Sequence, residues 1–444
     1  MKTLIRHATV LTMDEKNTVF KNGCVLIDGD RIVKAGEEEK LQAEIESFGA
    51  SQIIDGHGGI LIPGLLNTHC HVSMMPFRTL GDDCADRLRR FLFPLENDAM
   101  TRKLVRLAAR YGICEMLLAG VTSFVDMYYF EDQVAEACEE LGIRGWLGET
   151  VIGQKTCDSE EPYGGLAYAE NFIRQWKGSS LVKPSAAPHA TYSNSPEMLK
   201  KAYELSCKHD TLFTLHASEM DFEMEQFRRE KNMTPSEFLY DLGVLSGRTL
   251  LAHCVYMTDR DMDLLAETGT SVAHCIGSNT KGGRGVAPVP AMQKRQIPVG
   301  FGTDGASSGN TLDLFTLFKL FADFQKTAYH DRSLFPAEDI VRIGTMGGAQ
   351  ALHAEKDLGS IEAGKKADLV IVETDSVNMF PCYNPYSALV YSANSSNVDT
   401  VMVDGQLLVR GRQLVNADLA KIREELRQEM GPFMDAARQY GDML

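Results

Sequence analysis

Short apolar runs alternate with amphipathic segments between residues 61 and 357. The runs have the length of buried strands, whereas TRKLVRLAARYGICEMLLA and SPEMLKKAYELSCKH repeat apolar residues at helical spacing, the second after a Ser-Pro start. Eight strand-like runs occur in this order: GGILIPGLLNTH, GVTSFVDMY, IRGWLGETV, SLVKPSAAPHA, TLFTLHASE, TLLAHC, TSVAHC and IPVGFGTDG. Strands that alternate with helices predict an α/β fold with a parallel sheet, here a (β/α)8 TIM-like barrel over residues 61–357.

The two ends of the chain share a different pattern, with β-branched runs separated by Asp-Gly turns. GCVLIDGDRIVKAG near the start and VDTVMVDGQLLVRGRQLV near the end each predict a β-hairpin. We therefore predict that residues 1–60 and 358–415 form one small β-sandwich domain. Residues 416–444 are predicted to be a C-terminal helical tail.

Composition and charge narrow the class of protein. The 444 residues suit a large barrel with a smaller module, and 44% hydrophobic residues allow a sizeable core. A formal net charge of -16 argues against nucleic acid and anionic membranes as partners. The 10 cysteines follow no disulfide-like rhythm, and neither a signal peptide nor a membrane span is found, so we expect a cytoplasmic enzyme with a small-molecule substrate.

Polar residues fall where the predicted barrel strands end. His69 and His71 close the first strand as His-Cys-His, and residues two apart in a strand point to the same side. The pair alone is a weak signal, and its alternative interpretation is a polar strand end with one solvated histidine. His216 and Asp304 end two later strands, and three histidines with one carboxylate at one barrel face predict a metal site that keeps a position open for water.

Several motifs, quoted in chain order, resemble the amidohydrolase superfamily: LIPGLLNTHCH, HASE, LLAHC, VAHCIGSNTK, GFGTDGASSGNTLDLF and LGSIEAGKKADLVIVE. Within it, the chain resembles 5'-methylthioadenosine/S-adenosylhomocysteine deaminases, with triazine hydrolases as neighbours. The resemblance implies that one divalent metal ion, Zn2+ with Fe2+ or Mn2+ as alternatives, is held by His69, His71, His216 and Asp304. Lys183 lies six residues before His189, at the wrong end of its strand to bridge a second metal, so we predict a mononuclear site.

The resemblance also implies two residues that move protons. Glu219, three residues after His216, matches a proton shuttle, and His253 matches a histidine that assists the transfer. Asp304 is expected to hold the water's proton as well as the ion. Outside this pattern Glu219 would be an ordinary loop carboxylate and His253 a buried core histidine. His274 is expected only to brace the loop with Ser278 and Asn279.

Three further residues are candidates for substrate binding, together with Glu219 and Asp304. By resemblance, Glu96 contacts ribose hydroxyls, His189 contacts the purine, and Ser308 lies on the substrate side. A carboxylate accepts two hydrogen bonds and suits a vicinal diol. The alternatives are a helix-start carboxylate for Glu96 and a turn former for Ser308.

Two departures from the family pattern bear on the substrate. An arginine expected after the third barrel strand is absent from GWLGETVIGQK, where Gly148 and Glu149 stand, and Phe91 replaces an expected tryptophan. The missing arginine puts S-adenosylhomocysteine in doubt. The basic cluster Arg87, Arg89 and Arg90 offers an alternative partner for the substrate's carboxylate, but it is interpreted as a solvated helix face.

These observations predict a metal-dependent hydrolytic deaminase that releases ammonia from an adenosine derivative such as 5'-methylthioadenosine or S-adenosylhomocysteine. The alternatives are a deaminase of a free base, a pterin or another N-heterocycle, a triazine-type amidohydrolase, and, remotely, a non-catalytic scaffold that has lost its metal. The resemblance further implies a homo-oligomer, since barrels of this superfamily commonly form dimers or larger assemblies.

Overall fold

The computed structural model describes residues 1–443, and Leu444, the last residue of the predicted tail, lies outside the described residues. The strands, in chain order, are β1 (Lys2–Leu11), β2 (Val19–Asp28), β3 (Arg31–Glu37), β4 (Gln52–Asp55), β5 (Ile60–Pro63), β6 (Leu65–Cys70), β7 (Val121–Tyr128), β8 (Arg144–Val151), β9 (Val182–Pro188), β10 (Phe213–Ala217), β11 (Thr249–His253), β12 (Ser271–His274), β13 (Val299–Phe301), β14 (Leu369–Val372), β15 (Val398–Val403), β16 (Gln406–Arg410) and β17 (Gln413–Leu414).

The α-helices follow the same order along the chain. They are α1 (Gln42–Phe48), α2 (Phe93–Ala99), α3 (Arg102–Leu118), α4 (Glu131–Leu141), α5 (Gly165–Trp176), α6 (Pro196–His209), α7 (Asp221–Lys231), α8 (Pro235–Asp241), α9 (Asp259–Thr268), α10 (Ile276–Lys281), α11 (Val289–Lys294), α12 (Leu314–Ala328), α13 (Ala337–Arg342), α14 (Gly348–Ala351), α15 (Pro385–Tyr391) and α16 (Leu419–Ala437).

The strands from both chain ends form one mixed sheet. Within residues 1–443 it has nine strands in the order β17-β16-β15-β14-β5-β1-β2-β3, with β4 paired to β1. The predicted turn between β15 and β16 is present, and Asp404 and Gly405 both have positive φ, at 47° and 71°, as a two-residue hairpin turn requires. A cluster of buried apolar residues, including Val25, Leu61 and Ile371, forms the core of this sheet.

The predicted barrel is confirmed. In the described part of the chain, eight strands close in the order β10-β11-β12-β13-β6-β7-β8-β9. Each of the eight predicted runs contributes one barrel strand, but GGILIPGLLNTH is divided at Gly64, so that β5 joins the mixed sheet and β6 the barrel. A Cβ atom at residue 64 would collide with Thr122, which explains why glycine stands at the division.

Contacts divide the chain into two compact units. The first comprises residues 1–67, 115–123 and 313–417, and the second comprises 68–114, 124–312 and the chain from 418 onward. The predicted boundaries at residues 60, 357 and 415 stay predictions. Among the described residues, no helix is both long enough and apolar enough to cross a membrane.

Candidate metal centre

The carboxyl ends of the barrel strands bring the predicted ligands together. His69 lies in β6 and His71 just after it, His216 lies in β10, and Asp304 follows β13 by three residues. The three imidazoles each offer a nitrogen within 4.8 Å of the other two. His216 Nε2 lies 3.1 Å from His69 Nε2, and Asp304 Oδ1 lies 3.2 Å from His71 Nε2. All four residues are buried or nearly so, with Asp304 5% exposed.

Hydrogen bonds to the backbone orient two of these imidazoles. His71 Nδ1 donates to the carbonyl oxygen of Met127 at 2.5 Å, and His216 Nδ1 donates to that of His189 at 2.6 Å. A carbonyl oxygen only accepts, so in the neutral rings the proton is on Nδ1 and the lone pair is on Nε2. The lone pairs of both rings therefore point into the cluster, as metal-binding histidines require.

The electrostatics of the cluster fit a bound cation. The Nε2 lone pair of His216 faces His69 Nε2 at 3.1 Å. Two nitrogen lone pairs would repel each other at this distance, so a proton or a cation must lie between the two rings. Although burial opposes charge, the hydrogen bond to Asp304 raises the pKa of His71 to about 9, so without a metal this ring carries a proton on Nε2, where a bound cation would replace it. Burial also disfavours the charged form of Asp304. Its neighbours, among which His71 has the largest effect, nevertheless hold the pKa of Asp304 well below its usual range. Three imidazoles and an ionised carboxylate fit a divalent metal ion.

Glu219 and His253 lie beside the ligands. His253 Nε2 is 3.7 Å from Glu219 Oε1, and His253 Nδ1 bonds to Asn279 Oδ1 at 2.9 Å. The Arg284 guanidinium forms an ion pair with the same Glu219 oxygen. Burial acts to raise the pKa of Glu219, but His253 and Arg284 outweigh it and lower that pKa, so the carboxyl group is ionised in the ligand-free protein.

The predicted substrate residues line a cavity of about 580 Å³ that opens onto the cluster. Glu96, His189 and Ser308 all face it, in company with His71, His216 and Asp304. Burial raises the pKa of Glu96 to about 7. The ring of Phe93 packs edge-on against His189, with centroids 5.3 Å apart. The cavity size is in the range of small-molecule sites.

The structure places three further residues at the site for which the sequence pattern was silent or misleading. Arg284 lies in a glycine-rich loop without catalytic spacing, and Asn279 was expected only to be braced by His274, whereas it contacts His253. The interpretation of Arg87 as part of a solvated face is wrong, because its side chain is 16% exposed and donates to the carbonyl oxygen of Ser307 at 2.7 Å. Arg90 is exposed as predicted, and Arg89 is exposed too, but it also lines the cavity and lies 4.3 Å over the ring of Phe222.

A closed (β/α)8 barrel with a candidate cation site at the carboxyl ends of its strands has the arrangement of an enzyme, because the catalytic groups of such barrels lie at that end. The chain belongs to the amidohydrolase family, whose model matches residues 60–408.

Curated relatives extend over nearly the whole chain. The 5-methylthioadenosine/S-adenosylhomocysteine deaminase 1 of Syntrophus aciditrophicus is 35% identical over 428 residues, which cover 96% of each chain. The 5'-deoxyadenosine deaminase of Methanothermobacter thermautotrophicus is 38% identical over 399 residues, covering 89% of this chain and 91% of the relative. The resemblance to deaminases drawn from the motifs is thereby confirmed.

Solved structures show the same architecture. An adenosine deaminase from Xanthomonas campestris with bound zinc superposes with a TM-score of 0.92 and 28% identity, covering 98% of both chains. The atrazine chlorohydrolase of Arthrobacter aurescens, complexed with zinc, has a TM-score of 0.86 and 26% identity, covering 96% of this chain and all of that one. Both triazine and nucleoside chemistry therefore occur among proteins with this fold.

Proposed function

We propose that this chain is a zinc-dependent deaminase that hydrolyses the exocyclic amine of an adenosine derivative, such as 5'-methylthioadenosine or S-adenosylhomocysteine, and releases ammonia. The observation that carries the proposal is the convergence of His69, His71, His216 and Asp304 beside Glu219 at one end of the barrel. The zinc-bound neighbours support zinc among the divalent metals that such donors accept.

The metal, when bound, would lower the pKa of a water molecule from about 15.7 toward about 7 and so supply a nucleophile at neutral pH. The four proposed ligands, His69, His71, His216 and Asp304, would hold it. Asp304 is ionised and lies 3.2 Å from His71 Nε2, which supports a role for it as acceptor of the second proton of that water, the one left on the hydroxyl group after attack. His253, held by Asn279, would orient the attacking water.

Glu219 would carry the proton to the ring. Because its pKa is lowered in the ligand-free protein, Glu219 starts as a carboxylate. It would first accept the proton that the attacking water releases and then donate it to the ring nitrogen next to the reacting carbon, so that no ring anion forms. Asp304 would then pass the hydroxyl proton of the tetrahedral intermediate to the amine, which leaves as ammonia while the carbonyl group forms. The ion pair with Arg284 must loosen during this cycle, because a protonated carboxyl group no longer attracts the guanidinium.

Glu96 and His189 support a nucleoside as the substrate. Once ionised, the buried Glu96 carboxylate would accept two hydrogen bonds from the ribose hydroxyls, and His189 would contact the purine. Ser308 lines the same cavity and would contact the substrate from the loop after β13. The names of the deaminase relatives support adenosine derivatives over free bases.

The stretch GWLGETVIGQK lacks the arginine expected to bind the carboxylate of S-adenosylhomocysteine, and Glu149 lies within its strand, β8. Glu149 is fully buried and accepts a hydrogen bond from the backbone nitrogen of Glu131 at 2.9 Å. It therefore supplies no positive charge for an amino-acid carboxylate. Arg87 and Arg89 line the cavity, however, so the missing arginine alone does not exclude S-adenosylhomocysteine.

The main alternative is hydrolysis of a triazine or another N-heterocycle, which the atrazine chlorohydrolase neighbour favours. Ammonia release by the zinc-loaded enzyme distinguishes the two. The panel is 5'-methylthioadenosine, S-adenosylhomocysteine, adenosine, adenine, guanine, cytosine, a pterin and an aminotriazine. Preference for the adenosine derivatives is the expected result, and turnover of only the free bases, the pterin or the triazine would overturn the nucleoside assignment.

We also propose a cytoplasmic location, no nucleic-acid or membrane partner, and a homo-oligomer. The net charge of -16 supports the second part by disfavouring polyanions. Light scattering of the zinc-loaded protein tests the third, and a mass equal to one chain would contradict it.

A further inference from the structure

A buried carboxylate that is not a candidate metal ligand contacts the loop after β10, which carries the proposed proton carrier Glu219. Glu223, in the first turn of α7, is fully buried. Its Oε2 atom accepts a hydrogen bond from the backbone nitrogen of Glu219 at 3.0 Å. Its Oε1 atom accepts one from the hydroxyl group of Thr191. One side chain therefore holds two different loops.

These two loops carry the groups that must meet across the substrate. Thr191 lies two residues after His189, in the loop that follows β9, and Glu219 lies in the loop that follows β10. The separation between the purine contact and the proton carrier is therefore set in part by Glu223. Positional errors of about 1 Å are enough to reduce turnover strongly.

The loop of Glu219 needs such a support because its backbone is strained. Ser218 has a φ of 51°, in the left-handed region that non-glycine residues avoid. Strained conformations persist only where surrounding contacts impose them. Burial raises the pKa of Glu223 to about 7, so its ionised form at neutral pH depends on the hydrogen bonds that it accepts.

We propose that Glu223 is a positioning residue that fixes the proton-carrying Glu219 relative to the His189 loop by accepting one hydrogen bond from each side. The inference rests on the proposed function for the identity of the proton carrier. The arrangement itself makes a structural prediction that does not depend on the substrate.

The test compares Glu223→Met with Glu223→Gln in the zinc-loaded enzyme. Methionine has a similar length but accepts neither hydrogen bond. We expect kcat to fall about 10- to 100-fold while one metal per chain is retained. This is the size of effect seen when residues that hydrogen-bond to the groups of a metal site are replaced. The amide of glutamine accepts from Glu219 and donates to the Thr191 hydroxyl oxygen, so Glu223→Gln should recover most of kcat. Glu225→Met, an exposed position on the same helix, is the matched control.

Three results would overturn the proposal: a normal kcat in Glu223→Met, a loss of kcat that follows a loss of metal, or a Gln variant as impaired as the Met variant. If Glu223→Met does not fold, Thr191→Val removes one of the two bonds, and an unchanged kcat/KM in that variant contradicts the proposal. A wild-type enzyme inactive on every nucleoside would remove the proposed function instead. The crystal structure of Thr191→Val would then decide, since an unmoved His189 loop in that variant refutes the positioning role.

Discussion

At the scale of single residues, the side chain of Glu219 shows that neighbouring charges can outweigh the effect of burial on a pKa. A carboxyl group that is 6% exposed would ordinarily have a raised pKa, because burial disfavours its charged form. In the structure, His253 and Arg284 lower the pKa instead. Glu219 is therefore expected to begin the cycle as a proton acceptor.

Replacing Glu219 by glutamine tests this role. We predict that Glu219→Gln keeps one metal per chain, because no proposed ligand changes, and that kcat falls by about 10²- to 10⁴-fold, the range for a lost acid–base group. Ammonia release and metal analysis on the same sample provide the measurement. Glu225→Gln, on the exposed side of α7, is the control, and a near-normal kcat in Glu219→Gln would remove the assignment.

Glu96 allows a second test at this scale. If its carboxylate binds the ribose, Glu96→Ala should raise KM for nucleosides about 10- to 100-fold, the size of one or two hydrogen bonds to a charged group, and leave KM for a free base unchanged. Asp98→Ala on the same helix, an exposed carboxylate, is the control. Equal effects on nucleosides and bases would mean that Glu96 serves the fold and not the ribose.

At the scale of elements, the two ends of each barrel strand have different roles. β9 begins next to an exposed lysine, Lys183, and ends at Pro188, immediately before the cavity residue His189. Catalytic groups of (β/α)8 barrels belong to the carboxyl ends of the strands, and the opposite end serves stability.

The two ends of β9 should respond differently to mutation. We expect Lys183→Ala to change kcat/KM by less than about 2-fold, as exposed substitutions do. His189→Ala should raise KM, because it removes a wall of the cavity. Parallel kinetics of both variants at equal zinc loading measure the difference. A Lys183→Ala variant that lost metal would show that this end of the strand contributes to the site.

Strand-end residues also explain how much could be predicted from the sequence. His69, His216 and Asp304 were recognisable because each directly ends an apolar run, and local periodicity reports such positions. The division of one run at Gly64 depends on contact with Thr122, which is remote in sequence. Arg284 approaches Glu219 from 65 residues away, and no local pattern encodes such an approach.

At the scale of the whole molecule, metal binding and folding are coupled. His69, His71, His216 and Asp304 come from three strand ends that are distant in the chain, so the donor set exists only when the barrel is closed. A ligand that binds only the folded state stabilises it in proportion to the logarithm of its concentration over Kd. The metal is therefore expected to act on stability as well as on chemistry.

Chelation should thus lower the melting temperature as well as abolish activity. At zinc about 1,000-fold above Kd, the folded state gains about 4 kcal/mol, and calorimetry of the metal-free protein with and without zinc should show an increase in Tm of several degrees. In His69→Ala the zinc-dependent increase should disappear, since the variant lacks a central donor. His57→Ala, an exposed histidine in the first compact unit, should retain it in full. A zinc-dependent increase in Tm that survives in His69→Ala would place the metal elsewhere in the molecule.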